Sequence, residues 1–145
     1  MNELFALGIS HKTAPVELRE RVALPEGRAA GVLRELVSTG HVHEAVALST
    51  CNRTELYLVV DDVVEAETAA LGILARESDM RPTELLSHLY SFRDIDAARH
   101  LFRVTAGLAL QWQSPVGPIS ISYAIPLRKQ DEDEIERLQF TFGNQ

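Results

Sequence analysis

Two strand-like runs separated by only five residues constrain the fold of this 145-residue chain more than any other feature. Residues 44–49, EAVALS, alternate weakly between polar and apolar side chains, and residues 55–60, ELYLVV, are rich in residue types that favour strands. The connection TCNRT has the length of a tight turn, and its asparagine tolerates the left-handed backbone that such turns need. The pattern predicts two paired strands with Cys51 at their junction.

The segments on either side of this pair predict further helices and strands. A buried strand is expected at residues 4–10 and a last short strand at 90–92; helices are expected after Pro15, over 25–39, over 63–80, over 82–89 and over 95–108. This order, β-α-β-β-α-β-α, predicts an α+β domain. A small antiparallel sheet would be covered by helices on one face in a ferredoxin-like arrangement.

Composition and charge exclude several classes of protein. A net charge of −7 argues against binding nucleic acid through a broad basic surface, although a small basic site on an acidic body remains open. No apolar run approaches the length of a membrane helix, and the N-terminus has no basic segment typical of a secretory signal. The single cysteine cannot form an internal disulfide, so we expect a reducing, cytoplasmic location.

Cys51 is the residue with the most distinctive surroundings. A lone cysteine usually only fills space in a core, but a packing cysteine would fit better inside either strand than at their junction. A thiolate is the reactive form, and nearby positive charge from Arg53 would favour it. Thr50, Asn52 and Thr54 offer neutral hydrogen-bonding groups for a substrate.

The five histidines indicate a functional site less clearly than Cys51 does. His41 and His43 could suggest a metal pair with Cys51, but the spacing matches no structural zinc site, and we expect a solvated loop without metal. On the last helix, His100 and Arg99 flank an apolar stripe, so either could point into a cleft. The residues expected on that core-facing stripe are Ile95, Ala98, Leu101, Phe102 and Thr105.

Three segments resemble glutamyl-tRNA reductase, the family that starts tetrapyrrole synthesis from glutamate in bacteria and plants. They are GISHKTAPVELRE at residues 8–20, LSTCNRTELY at 48–57 and RHLFRVTAGL at 99–108. All three occur in the family's order and approximate spacing, and the resemblance covers roughly residues 3–108.

The resemblance implies a reaction and a set of site residues. In this family a cysteine of the N-terminal catalytic domain attacks the ester of glutamyl-tRNA and forms a thioester. NADPH, held on a separate domain, then reduces the thioester to glutamate-1-semialdehyde. By motif, Cys51 matches the nucleophile, and His100 matches a histidine needed for activity. Thr50, Asn52 and Arg53 match the substrate-binding residues around the cysteine.

The resemblance also implies cofactors and partners. NADPH serves the full-length family, and we expect none to bind this chain alone. Glutamyl-tRNA(Glu) is the expected substrate, and glutamate-1-semialdehyde aminomutase is a candidate protein partner. Family members form homodimers through a helical region.

From residue 109 onward the resemblance ends, because ALQWQSPVGP stands where the family usually continues with Asp-Ser and a GE-PQ segment. We therefore expect a catalytic domain at residues 1–108 and a divergent tail at 109–145, without the NADPH-binding and dimerisation domains. The tail holds a strand-like run at 119–125 and an acidic, helix-like run at 131–140. A non-catalytic module that binds glutamyl-tRNA or a protein stays open as the alternative function.

Overall fold

A computed structural model describes the backbone of residues 1–112 and 127–128, and the side chains of residues 1–25 and 27–106. The strand-like run at 119–125 and the acidic run at 131–140 lie outside the described residues. The elements are β1 (Glu3–Ser10), α1 (Val16–Val22), α2 (Glu26–Ser38), β2 (Val42–Ser49), β3 (Arg53–Val60), α3 (Val63–Glu77), α4 (Pro82–Leu86), β4 (Tyr90–Arg93), α5 (Asp94–Trp112) and β5 (Leu127–Arg128).

The strands form one antiparallel sheet in the order β4-β1-β3-β2-β5. β2 and β3 form the predicted pair, with Ser49 opposite Thr54 beside the turn. β1 lies between β3 and β4, so the first four strands have the ferredoxin-like order. The predicted α+β class and the predicted order of elements are confirmed.

The main core lies between the sheet and the helices that connect its strands. Successive side chains of a strand point to opposite faces, and Phe5, Leu7 and Ile9 of β1 all point to this face. Leu33 of α2 and Leu74 of α3 are among the residues that pack against them. Helices α1 to α4 thus cover one face of the sheet, as expected.

The last helix packs on the opposite face, which the sequence pattern did not predict. There Ala97 and Val104 of α5 join a smaller cluster with Ala6 and Tyr57 of the sheet. The expected core-facing stripe of α5 is wrong, because Ile95 is 67% exposed and Phe102 is 75% exposed. Among the described residues, no helix combines the length and the hydropathy that a bilayer crossing demands.

Two stripes on α5 explain this error. The observed stripe of Ala97, Leu101 and Val104 has the same helical spacing as the predicted one, and the two share Leu101. Helical periodicity alone cannot show which of two neighbouring stripes on one helix faces the core. The choice depends on contacts with the sheet, which bring His100 inward beside the buried stripe.

Candidate active site

Cys51 lies in the turn between β2 and β3, where its side chain is exposed. The backbone N–H of Thr50 donates to the carbonyl oxygen of Arg53 at 2.8 Å, which closes the turn. The backbone N–H of Asn52 donates to Thr50 Oγ1 at 3.2 Å. The turn therefore presents an accessible thiol on a hydrogen-bonded backbone.

Two other elements hold this turn from outside. The backbone N–H of His11, directly after β1, donates to the carbonyl oxygen of Asn52 at 2.8 Å. Arg19 of α1 donates from Nη1 to the carbonyl oxygen of Cys51 at 2.9 Å and to Asn52 Oδ1 at 3.4 Å. Its Nε is buried and has no hydrogen-bond partner among the described side chains. The position of Cys51 thus depends on β1 and α1 as well as on its own hairpin.

Arg53 connects the turn to a buried acid. Its Nη1 donates to Glu55 Oε1 at 3.1 Å; the Arg53 side chain is 20% exposed and that of Glu55 is 1% exposed. Residues two apart on a strand share a face, so both side chains lie on the α5 side of the sheet. A guanidinium has five N–H donors, and Arg53 can therefore hold Glu55 and a substrate carboxylate at the same time.

Glu55 is the centre of a polar cluster, the Glu55 cluster, which consists of Arg53, Glu55, Tyr57, Tyr90 and His100. Tyr57 donates its hydroxyl to Glu55 Oε2 at 2.6 Å, and Tyr90 donates its hydroxyl to Oε1. His100 Nε2 lies 2.7 Å from the same Oε1. Together with Arg53, these donors satisfy a carboxylate that has lost almost all contact with water.

Gly8 of β1 makes room for the Glu55 cluster. It pairs with Glu55 on one side and with Tyr90 on the other. A Cβ at this position would lie 2.7 Å from Glu55 Cγ and 3.1 Å from both the Tyr90 hydroxyl and the Thr54 carbonyl oxygen. Glycine is therefore required for the close approach of the acid and the tyrosine across β1.

The electrostatics of the cluster favour an ionised Glu55. Burial by itself would raise the pKa of this carboxyl, but hydrogen bonds from Tyr57, Tyr90 and His100, with the charge of His100, lower the pKa below its ordinary value. Burial is the largest cause that raises the pKa of both tyrosines. The hydrogen bond to the Glu55 carboxylate and its negative charge raise the pKa further. Near neutral pH the tyrosines therefore stay protonated and act as donors.

Aromatic rings fix the orientation of His100. The ring of Phe92 stacks on the imidazole with centroids 4.5 Å apart and planes at 27°. The ring of Tyr90 meets it edge-on at 5.5 Å. The His100 side chain remains 20% exposed. The imidazole is thus held by packing and by Glu55, with part of its surface still accessible.

The structure brings the expected site residues into two connected groups. Thr50 and Asn52 share the turn with Cys51, while Arg53 and His100 meet at one oxygen of Glu55. Arg99, the other residue beside the predicted stripe, is exposed and pairs with Asp96 at 3.0 Å. Arg53 belongs to both groups, because its carbonyl closes the turn and its guanidinium contacts Glu55.

Three members of the Glu55 cluster were not predicted from the sequence. A signal existed for two of them, because Glu55 interrupts a strongly apolar strand and Tyr57 lies two residues further on the same face. Such a buried acid with a tyrosine beside it is a candidate polar network. Tyr90 carried no comparable signal, since its partner lies 35 residues away in the chain.

The histidine pair at the other end of the hairpin does not join this site. His41 Nδ1 and His43 Nε2 lie 3.1 Å and 3.0 Å from the two carboxylate oxygens of Asp61. Eight residues of β-strand span roughly 25 Å, so Cys51 cannot complete a metal site with His43. In the part of the chain that the structure describes, no group of three or more His, Cys, Asp or Glu side chains is arranged to hold a metal ion.

Comparison with known proteins identifies the family to which this chain is related. A family model described as the N-terminal domain of glutamyl-tRNAGlu reductase matches residues 7–111. Over 105 residues, the chain is 44% identical to the glutamyl-tRNA reductase of Cyanophora paradoxa and 50% identical to that of Chromohalobacter salexigens. Each match covers 72% of this chain and 24% of the relative.

A plant relative shows the same relationship. The chain is 40% identical over 107 residues to the chloroplastic glutamyl-tRNA reductase 1 of Hordeum vulgare, which is 74% of this chain and 20% of that protein. The matched segment thus spans about a quarter or less of these curated relatives. The range matched by the family model, residues 7–111, includes the turn of Cys51, the buried Glu55 and His100. This chain belongs to the family of the N-terminal domain of glutamyl-tRNA reductase.

Proposed function

We propose that this chain carries out the acyl-transfer half of the glutamyl-tRNA reductase reaction, with Cys51 as the nucleophile. The observation that carries the proposal is the exposure of Cys51 on a turn held by His11 and Arg19. A cysteine that only filled space would be buried in the core. Membership of the family, whose relatives are named for glutamyl-tRNA, supports that substrate.

In the proposed step the Cys51 thiolate attacks the carbonyl carbon of the aminoacyl ester. A C–S bond forms, the C–O bond to the tRNA ribose breaks, and the electron pair leaves on the ribose oxygen, which takes up a proton. Because an aminoacyl ester is already activated, the thiolate needs no strong acid at the leaving group. The products are free tRNA and a glutamyl thioester on Cys51.

Substrate recognition is assigned to the polar residues around the turn. Arg53 would bind the side-chain carboxylate of the glutamyl group, since its planar fork matches two carboxylate oxygens. Asn52 would present its amide N–H groups, because its Oδ1 faces Arg19. The Thr50 hydroxyl, which accepts from the Asn52 backbone, can still donate to a substrate oxygen.

His100 would deliver the proton that the departing ribose oxygen takes up. An imidazole changes its protonation state near neutral pH, which suits it to proton transfer in both directions. Its contact with Glu55 and its stacking on Phe92 support this role, because a proton donor must be held in a fixed orientation.

The second half of the family reaction needs NADPH, which supplies a hydride when bound. The described residues do not fit a dinucleotide: their sheet is antiparallel, and the connection from β1 to α1, residues 11–15, contains no glycine. A dinucleotide fold uses parallel strands and a glycine-rich first turn. For this chain the proposal therefore ends at the thioester and its hydrolysis by water, an esterase activity.

Several wider consequences of family membership remain predictions. Glutamyl-tRNA(Glu) is the proposed substrate of this chain. Glutamate-1-semialdehyde aminomutase as a partner, a homodimer as the assembly and a cytoplasmic location follow from the family and from composition. No contact among the described residues bears on these three.

The test is release of tRNA from glutamyl-tRNA by the purified chain. We expect a burst of about one tRNA per chain followed by slow turnover, since acylation precedes hydrolysis. Cys51→Ser should abolish the burst, whereas Ser87→Ala, which removes an exposed hydroxyl at the end of α4, should retain it. Equal release by wild type and Cys51→Ser would reject Cys51 as the nucleophile.

Alkylation of Cys51 by iodoacetamide separates catalysis from the alternative binding module. An exposed thiol should react at a rate comparable to that of free cysteine. Slow alkylation, combined with retained binding of glutamyl-tRNA and no release of tRNA, would favour the module. The exposure of Cys51 supports the catalytic function.

A further inference from the structure

We propose that Glu55 is the positioning residue of this site: it determines which ring nitrogen of His100 carries the proton, and it holds the Arg53 guanidinium toward a substrate. Both groups meet the same carboxylate oxygen, Oε1, at 2.7 Å and 3.1 Å. The kinetic consequences of this inference rest on the proposed function. The arrangement of His100 is a property of the chain itself and can be measured without substrate.

The first argument concerns the cost of burying Glu55. Its side chain is 1% exposed on a face of the sheet where Ala6 and Leu48 are also buried, against Val104 of α5. Replacing a buried ionic group by apolar residues of similar volume is often neutral or stabilising. Packing alone therefore does not require an acid here, and a role toward its polar partners accounts for it.

The second argument concerns the His100 ring. An ionised carboxylate can only accept hydrogen bonds, so the nitrogen that faces it must carry a proton. That nitrogen is Nε2, which leaves Nδ1 of the neutral ring as the basic nitrogen. His100 can then take up and release a proton at Nδ1 while Nε2 stays protonated. The same logic applies wherever a third group orients a catalytic base.

The third argument concerns the orientation of the carboxylate. Tyr57 donates to Oε2, on the other side of the carboxylate from His100 and Arg53. Tyr90 donates to Oε1, beside His100. Bonds to both oxygens prevent the carboxylate from rotating, so the directions in which it holds His100 and Arg53 are fixed. A matched control for substitution of Glu55 is Glu35→Gln, since Glu35 pairs with Arg76 of α3 and contacts no member of the Glu55 cluster.

The tautomer of His100 is measured by ¹⁵N NMR of the full chain labelled at histidine. The His100 signals are assigned by their loss in His100→Asn. Above neutral pH we expect wild type to carry the proton on Nε2. Glu55→Gln should shift His100 toward a mixture of tautomers, because an amide can accept or donate. Glu35→Gln, at an acid outside the Glu55 cluster, should keep the wild-type pattern.

Two results of this experiment would overturn the inference. One is a wild-type His100 protonated mainly on Nδ1, a result that needs no variant to fold. The other is an unchanged His100 spectrum in a folded Glu55→Gln chain, with folding checked by circular dichroism. Either would show that Glu55 does not set the tautomer.

The kinetic test follows acylation of Cys51 by glutamyl-tRNA. Glu55→Gln should lower the rate at saturating substrate by about 100-fold, the scale of general acid–base catalysis, and should also raise KM through Arg53. Glu35→Gln, the same substitution at an acid that pairs with Arg76 outside the Glu55 cluster, should stay within about threefold of wild type for both.

The outcomes distinguish the inference from the proposed function. If wild type forms no thioester but shows the Nε2-protonated His100 that Glu55→Gln disturbs, the proposed function fails and the positioning of His100 stands. If wild type forms the thioester and Glu55→Gln acylates with unchanged rate and KM, the proposed function stands and the inference fails.

Discussion

His100 Nε2 lies 2.7 Å from Glu55 Oε1, although the two residues are 45 positions apart in the chain. The contact joins α5, the helix on the second face of the sheet, to the strand β3 that begins directly after the turn of Cys51. The proposed proton-transfer group, His100, and the proposed nucleophile, Cys51, are thereby connected through one strand although they lie on distant segments. The predictions below test separate parts of this connection.

Substitution of Gly8 tests the close approach across β1. In Gly8→Ala the new Cβ would lie 2.7 Å from Glu55 Cγ, so we expect a loss of about 1–3 kcal/mol in the free energy of unfolding. Gly72→Ala is the matched control, because nothing lies within 4 Å of its Cβ on α3, and it should gain about 0.5–1 kcal/mol. Urea denaturation measures both. Equal effects of the two substitutions would contradict the crowding at Gly8.

Removal of the Tyr57 hydroxyl tests the buried bond to Oε2. Tyr57→Phe should lower the free energy of unfolding by about 1.5–3 kcal/mol, since it removes a hydrogen bond to a charged group that water cannot replace. A double-mutant cycle with Glu55→Gln isolates the pair. A coupling energy near zero between these two positions would show that the bond contributes nothing to stability.

The pH dependence of unfolding tests the charge on Glu55. Its pKa in the folded chain is lowered from the ordinary value of 4.5, because the hydrogen bonds to it outweigh the effect of burial. Glu55 therefore contributes stability above pH 4.5, and that contribution is lost as pH falls through the lowered pKa.

Comparison with Glu55→Gln isolates this effect from other acids. Asp61 and Glu35 also have lowered pKa values in the folded chain, but they titrate identically in both proteins. Below pH 4.5, wild type should therefore lose stability more steeply than Glu55→Gln. Parallel curves of unfolding free energy against pH would contradict an ionised Glu55.

Arg19 is predicted to matter for the reactivity of Cys51 more than for stability. Arg19→Met removes the bonds to the Cys51 carbonyl and to Asn52 Oδ1, and should slow acylation of Cys51 by about 10-fold through misplacement of the turn. These bonds are exposed, so the loss of unfolding free energy should stay below about 1 kcal/mol.

Arg21 provides the control for this substitution. It lies on the same helix, but it donates to the backbone carbonyls of Ser78 and Asp79 instead of the turn. Arg21→Met should therefore leave acylation of Cys51 unchanged. If the two substitutions slow acylation equally, the effect of Arg19 is a general weakening of α1.

Local signals predicted most of the fold. The hairpin followed from two strand-like runs and a short polar connection, and Gly40, with φ of 92°, follows α2 as a glycine at a helix end should. The placement of α5 could not be predicted in the same way. Its two candidate stripes have equal periodicity. Which stripe is buried depends on packing against the second face of the sheet.

The motifs predicted the turn residues and His100 as parts of the candidate site, but not Glu55, Tyr57 or Tyr90. The turn residues lie next to Cys51 in the chain, so a motif identified them. The Glu55 cluster depends on contacts over 35 and 45 residues, between side chains on different elements. Such contacts arise from the order of strands and the side of the sheet that α5 covers. The residue pattern along one segment shows neither the order of the strands nor the side of the sheet that α5 covers.

The most direct test of the central claim is the mass of the chain after brief reaction with glutamyl-tRNA and acid quenching. We expect one added glutamyl group, located by proteolysis on the peptide that contains Cys51 and removed by hydroxylamine, as a thioester requires. Cys51→Ala should carry none. A glutamyl group found elsewhere, or tRNA release without any transient adduct on Cys51, would contradict the proposed chemistry.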